Sequence, residues 1–169
     1  MMFFGKSSAK SAKSEAQAEA ERLQLERLKS MIREVLHKMR DATPSDAERF
    51  HQQVKDFCTD KTLPMEFKRK ALDYARSYEC NANMRGTDKL LHEAIRMAAA
   101  EHMKERTQKL GEARKLYGKA CSLGADMDFR KAAQRLMDTI MLTGGVAHQG
   151  PTRAKPADIA PKTPNRAKV

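Results

Sequence analysis

Apolar residues recur through the middle of this chain at helical spacing. Leu25, Leu28, Ile32, Val35 and Met39 follow one another at steps of three and four, which makes a two-heptad seam. Leu23 and Leu36 widen the seam toward a globular face. The pattern predicts a first helix from about Ser14 to Arg40. Its first half, Ala16 to Ala20, has no apolar residue larger than Ala and is expected to extend into solvent. The seam from Leu25 to Met39 is expected to pack within the chain's own bundle, with a homodimer through this helix as the alternative.

Local signals mark the next elements. In Thr43-Pro44-Ser45-Asp46, a capping Thr precedes a Pro at the first helical position and an acid in the first turn. The second helix is expected to bury Phe50, Val54 and Phe57 and to end near Asp60. Leu63-Pro64-Met65-Glu66 starts a third, with Phe67, Ala71, Tyr74, Ala75 and Tyr78 on one face. Asn81, Asn83 and Gly86 predict its end. A fourth segment, opened by Gly86 or Thr87, turns Leu90, Leu91, Ala94, Ile95, Ala98 and Met103 inward. The run Ala98-Ala99-Ala100 permits close approach of a neighbouring helix. Gly111 predicts a break or bend near Lys109, because Gly costs about 1 kcal/mol against Ala inside a helix, with one helix unbroken to Cys121 as the alternative. Gly124 is placed to cap the helix carrying Ala113, Leu116, Tyr117 and Ala120. Asp126 or Asp128 then opens a last helix with Phe129, Ala132, Ala133, Leu136, Met137 and Ile140 on its face, closed by Thr143-Gly144-Gly145.

The expected fold is therefore all-α, a bundle of five or six amphipathic helices over residues 14–143. No stretch alternates apolar and polar residues over a strand's length. Residues 1–13 and 144–169 read as disordered basic tails: small and polar residues fill the first, and prolines and basic residues the second.

Charge sharpens that division. The formal net charge is +11. Residues 1–14 contribute three Lys and no acid, and residues 143–169 contribute five basic residues and one Asp. The middle, with 25 basic and 21 acidic residues, is a mixed-charge helical surface. Basic tails can contact nucleic acid, anionic lipid or an acidic protein face. Phe3 and Phe4 form an apolar tip among three lysines, suited to a partner or to weak membrane contact.

Ala113, Tyr117 and Ala120, followed by Gly124-Ala125-Asp126, resemble the second helix of a tetratricopeptide repeat. The likeness covers about 15 residues. Residues 97–106 lack the large aromatic and the Leu-Gly pair of a first helix, and no second copy appears at a 34-residue period. The resemblance implies helical-hairpin packing near residues 97–125 and a peptide- or protein-binding scaffold.

Catalytic and metal-binding motifs are missing from the sequence. It holds no GxGxxG, GxxxxGK[ST], GxSxG or HExxH pattern. His37, His51, His92, His102 and His148 form no ligand-spaced pair with another His or Cys, and read as surface residues of charged helices. Asp126 and Asp128 read as capping groups, since an EF-hand loop also needs a central Gly and a distal Glu. Cys58, Cys80 and Cys121 are odd in number and widely spaced, which argues against a disulfide framework and for a reducing compartment such as the cytoplasm. No apolar run approaches the ~18 residues of a membrane span, and no cofactor or metal is implied. The eleven methionines read mainly as core filler.

These observations predict a soluble, non-catalytic helical adaptor or assembly factor that binds another protein. The expected contacts are Phe3, Phe4, Leu25, Leu28, Lys162 and Arg166. Nucleic-acid association through the basic tails is the alternative, and membrane association through Phe3 and Phe4 is a weaker third.

Overall fold

The computed structural model of the chain describes residues 7–97 and 101–144, together with the side chains of 14–97 and 101–143. It is all-helical. Five helices follow in order: α1 (Ser7–Met39), α2 (Pro44–Phe57), α3 (Met65–Arg96), α4 (Met103–Leu123) and α5 (Met127–Gly144). No strand occurs among the described residues. The expected C-terminal tail beyond residue 144, the Phe3–Phe4 tip and the Ala98–Ala100 run lie outside the described residues. Helix α1 starts at Ser7, seven residues earlier than expected.

Helix α3 is the spine, about 48 Å long at 1.5 Å per residue. Its first half packs with α1 and α2, and its second half with α4 and α5. Two cores result. The first gathers Ile32, Met39, Val54, Cys58, Leu63, Ala71 and Ala75, flanked by Phe50, Phe57, Phe67 and Tyr78. The second gathers Leu91, Ala94, Leu110, Ala113, Ala133, Met137 and Ile140.

Several element ends follow their local chemistry. The Thr43 hydroxyl accepts from the Asp46 N–H (3.2 Å) and donates to the Asp46 carboxylate (3.0 Å), with Pro44 at the first helical position. Gly124 takes φ +103° and ends α4, while the Ala125 N–H reaches back to the Ala120 carbonyl at 2.9 Å. Asp126 accepts the Phe129 N–H at 2.7 Å and starts α5.

The middle of the chain departs from expectation. Helix α3 runs unbroken through Asn81, Asn83 and Gly86. Asn83 donates its amide N–H to the Glu79 carbonyl (2.9 Å) and Thr87 its hydroxyl to the Asn83 carbonyl (2.8 Å), so both donors are met within the helix, while the buried Asn83 Oδ1 accepts no hydrogen bond among the described residues. Gly86 serves a close approach. A Cβ there would lie 2.7 Å from the Pro44 ring and 2.8 Å from Leu116 Cδ1. Helix α4 is likewise continuous through Gly111, because Leu110 and Ala113 on either side of it are buried against α3 and α5 and outweigh its low propensity. The chain turns instead between Arg96 and Met103. Buried Arg106 reaches back there to the Met97 carbonyl, the Ile140 carbonyl and the Thr143 hydroxyl, a cation set on the C-terminal ends of α3 and α5.

Some faces are rotated from those expected. Helix α2 buries Ala47, His51, Val54 and Cys58, with Phe50 and Phe57 half-buried at the flanks. Leu23, Tyr74, Ile95 and Met103 are exposed rather than inward, as is Ala132. Leu23 is about half a turn from Leu25 and so faces away from the seam. Residues 103–123 form one helix rather than both arms of a hairpin, and α4 pairs with α3 and α5.

Candidate partner-binding groove on α1

The 33 residues of α1 span about 50 Å, against about 21 Å for α2. Its second half is held by the first core: Ile32 and Met39 are fully buried, and Val35 and Leu36 half-buried. Above Leu25 the helix leaves the first core. Every side chain from Ser14 to Gln24 is exposed. This stretch is rich in Ala, Glu and Gln, which hold a helix with little side-chain entropy cost, so it stays helical without a core to pack on. Gln17 adds a 3.4 Å hydrogen bond to Glu21, one turn on.

Where the seam leaves the core, an open groove of about 550 Å³ lies between α1 and the α2–α3 turn. Ala18, Glu21, Leu25 and Leu28 line it from one face of α1, with Arg22 and Gln24 at its edges and Asp60 and Thr62 across from them. Leu25 and Leu28 are half-buried and form its apolar floor. Asp60 accepts from the Thr62 hydroxyl and N–H, and those hydrogen bonds hold its carboxyl below the usual carboxylate range. The groove thus has an apolar floor and a charged rim, a design suited to a helical or extended peptide segment.

Of the contacts expected from the sequence, Leu25 and Leu28 are brought together here. Phe3, Phe4, Lys162 and Arg166 lie outside the described residues. The sequence reading did not single out Ala18, Glu21 and Arg22. They continue the Leu25–Leu28 face upward at helical spacing, a signal hidden because Ala and Glu carry no apolar pattern of their own.

His51 is the other residue that sequence reasoning misplaced. It is buried, not on the surface, and its Nδ1 contacts Glu79 Oε2, tying α2 to α3. The spacing of Ala47, His51, Val54 and Cys58 was the available signal. A mostly polar groove lined by Ser45, Glu48, Arg49, Gln52 and Lys55 lies beside the pair. Buried Cys80 sits 3.9 Å from Met84 Sδ and 3.5 Å from the Ala120 carbonyl. Burial pushes its thiol up, as it does that of Cys58, so both resist ionisation. Among the described residues no three of His, Cys, Asp and Glu converge as metal ligands, and no helix is long and apolar enough to cross a membrane. No protein family, curated protein or solved structure matches the chain.

Proposed function

We propose that this chain is a non-catalytic helical adaptor or assembly factor that binds another protein through the projecting half of α1. One observation carries the reading: a helix whose side chains from Ser14 to Gln24 are all exposed stands over an open groove floored by Leu25 and Leu28. The apolar floor under a charged helix face offers a seat for a partner segment. The tetratricopeptide-like spacing of Ala113, Tyr117 and Ala120, and the basic residues of 145–169 in a reducing compartment, fit a scaffold of this kind. The test is affinity capture from the native source with the full chain, at low and high salt, beside the variant Ala18→Arg/Glu21→Arg, both of whose positions line the groove. Both changed side chains are exposed, so the helical dichroism should not change. The expected result is a protein retained at both salt concentrations by the native chain and lost by the variant. Retention of nucleic acid alone, released as salt rises and indifferent to the α1 changes, would overturn the reading in favour of binding through basic residues.

A further inference from the structure

We propose that Cys80 and Met84 form a binding site for a soft monovalent metal ion, Cu(I), at the open pocket where the end of α4 meets α3. The two residues stand one turn apart on α3, and Cys80 Sγ lies 3.9 Å from Met84 Sδ. At a metal–sulfur length of about 2.3 Å, two sulfurs on one ion stand about 3.8 to 4.0 Å apart in tetrahedral or trigonal geometry. The pair is therefore spaced to share an ion with little rearrangement. Both residues line an open pocket of about 260 Å³, together with Ser77, Gly124 and Asp126. Gly124 brings no side chain to it, and the Asp126 carboxylate draws a cation toward it.

The ligands name the ion. Thioether sulfur selects Cu(I) over harder cations. Zinc needs three or four ligands from Cys, His, Asp and Glu, and no three of these converge among the described residues. Charge agrees. Cys80 is 7% exposed. Cu(I) on one thiolate forms a neutral pair that suits such burial, while a divalent ion leaves an unbalanced positive charge beside Arg76, which lines the same pocket. Binding is an exchange of cations. The Cys80 S–H proton leaves to solvent, a copper–sulfur bond forms in its place, and copper stays monovalent, so no electron is transferred. The Ala120 carbonyl then loses the Cys80 S–H at 3.5 Å but keeps the Ala125 N–H at 2.9 Å, so the exchange orphans no backbone acceptor. The pocket leaves room for a third ligand, a small thiol from solution.

The experiment is a titration of the reduced full chain with Cu(I), under nitrogen, against a chromophoric Cu(I) chelator. The native chain should withdraw one equivalent of Cu(I), and X-ray absorption of that complex should show sulfur neighbours at about 2.3 Å. Met84→Leu keeps the apolar character and approximate volume of a half-buried side chain, so helical dichroism should not change. It should weaken Cu(I) binding by about 10–100-fold, no less than the loss of an outer-shell partner. Cys80→Ser should abolish binding. Cys58→Ser, which removes a thiol of the first core, should bind like the native chain. Where Cys80→Ser disturbs folding, the Met84 variant decides. A native chain that withdraws no Cu(I), a Met84→Leu chain that binds as tightly as the native one, or equal losses at Cys58 and Cys80 would overturn the proposal.

Discussion

Around the first half of α3 the core is filled by rings and branched chains. Phe50, Phe57, Phe67 and Tyr78 surround Ile32, Val54 and Leu63. Around the second half three alanines, Ala94, Ala113 and Ala133, stand among Leu91, Leu110, Met137 and Ile140, with Tyr117 and Phe129 as its flanking rings. Between the two cores α3 carries a buried polar ladder, Glu79, Asn83 and Thr87 at successive turns. One helix thus serves two differently packed ends, and the ladder lies between them beside the small Cys80–Ala120–Ala125 cluster.

The contrast is tested most strongly by emptying each core. Ile32→Ala in the first and Leu91→Ala in the second both remove fully buried side chains and should each cost about 2–5 kcal/mol in denaturant unfolding. If the two ends unfold as one, both substitutions shift a single transition. If the ladder separates them, hydrogen exchange will show loss of protection confined to the helices of the altered core.

Next in size is the ladder itself. His51→Ala leaves the buried Glu79 carboxyl without its partner and should cost about 1–3 kcal/mol. Changing both residues to apolar ones of similar size, His51→Leu with Glu79→Met, should recover much of that loss. Recovery in the double variant, read by chemical denaturation, would show that the pair is dispensable for stability when both members are replaced.

A smaller effect distinguishes two glycines that look alike in sequence. Gly86→Ala forces a Cβ against Pro44 and Leu116, where α2 and α4 meet α3, and should lose about 1–2 kcal/mol even after the gain in helix propensity. Gly111→Ala meets nothing within 4 Å and should gain up to about 1 kcal/mol. Melting temperatures moving in the same direction would contradict the packing described at Gly86.

The smallest effect is electrostatic and belongs to the second half of α3. Lys109 bonds Glu93 at 2.8 Å, joining α4 to α3, and this hydrogen bond holds the Glu93 carboxyl below its ordinary value and the Lys109 ammonium above its own. A lowered carboxyl contributes stability above its unfolded value that is lost as pH falls through the folded one. A raised ammonium contributes stability below its unfolded value that is lost as pH rises through the folded one. The tie is therefore whole from about pH 5 to pH 10. Exposure and solvent screening keep it weak. Glu93→Gln should flatten the acid limb of the melting profile slightly, and an unchanged limb would remove the tie from consideration.

Much of the fold was legible because it rests on local rules. The Leu25–Met39 seam, the Thr43-Pro44 start, the Gly124 end and the Asp126 cap each depend on residues within a turn or two of one another, so spacing alone announces them. The candidate groove was legible only at its floor, through Leu25 and Leu28. Asp60 and Thr62 reach it from the α2–α3 turn, a different part of the chain, and no local pattern records that meeting.

The sequence by itself determined that the chain is helical, where most helices begin, and that the first half of α1 lacks residues fit for a core. Only the tertiary structure decided that α3 passes through Asn81, Asn83 and Gly86, that the chain turns before Met103, and that His51 is buried. The physical reason is common to all three. Asn and Gly are helix stops only when nothing else satisfies or fills their positions. Here the Glu79 carbonyl, the Pro44 ring and Leu116 do so, while Arg106 holds a helix end that no local residue marks.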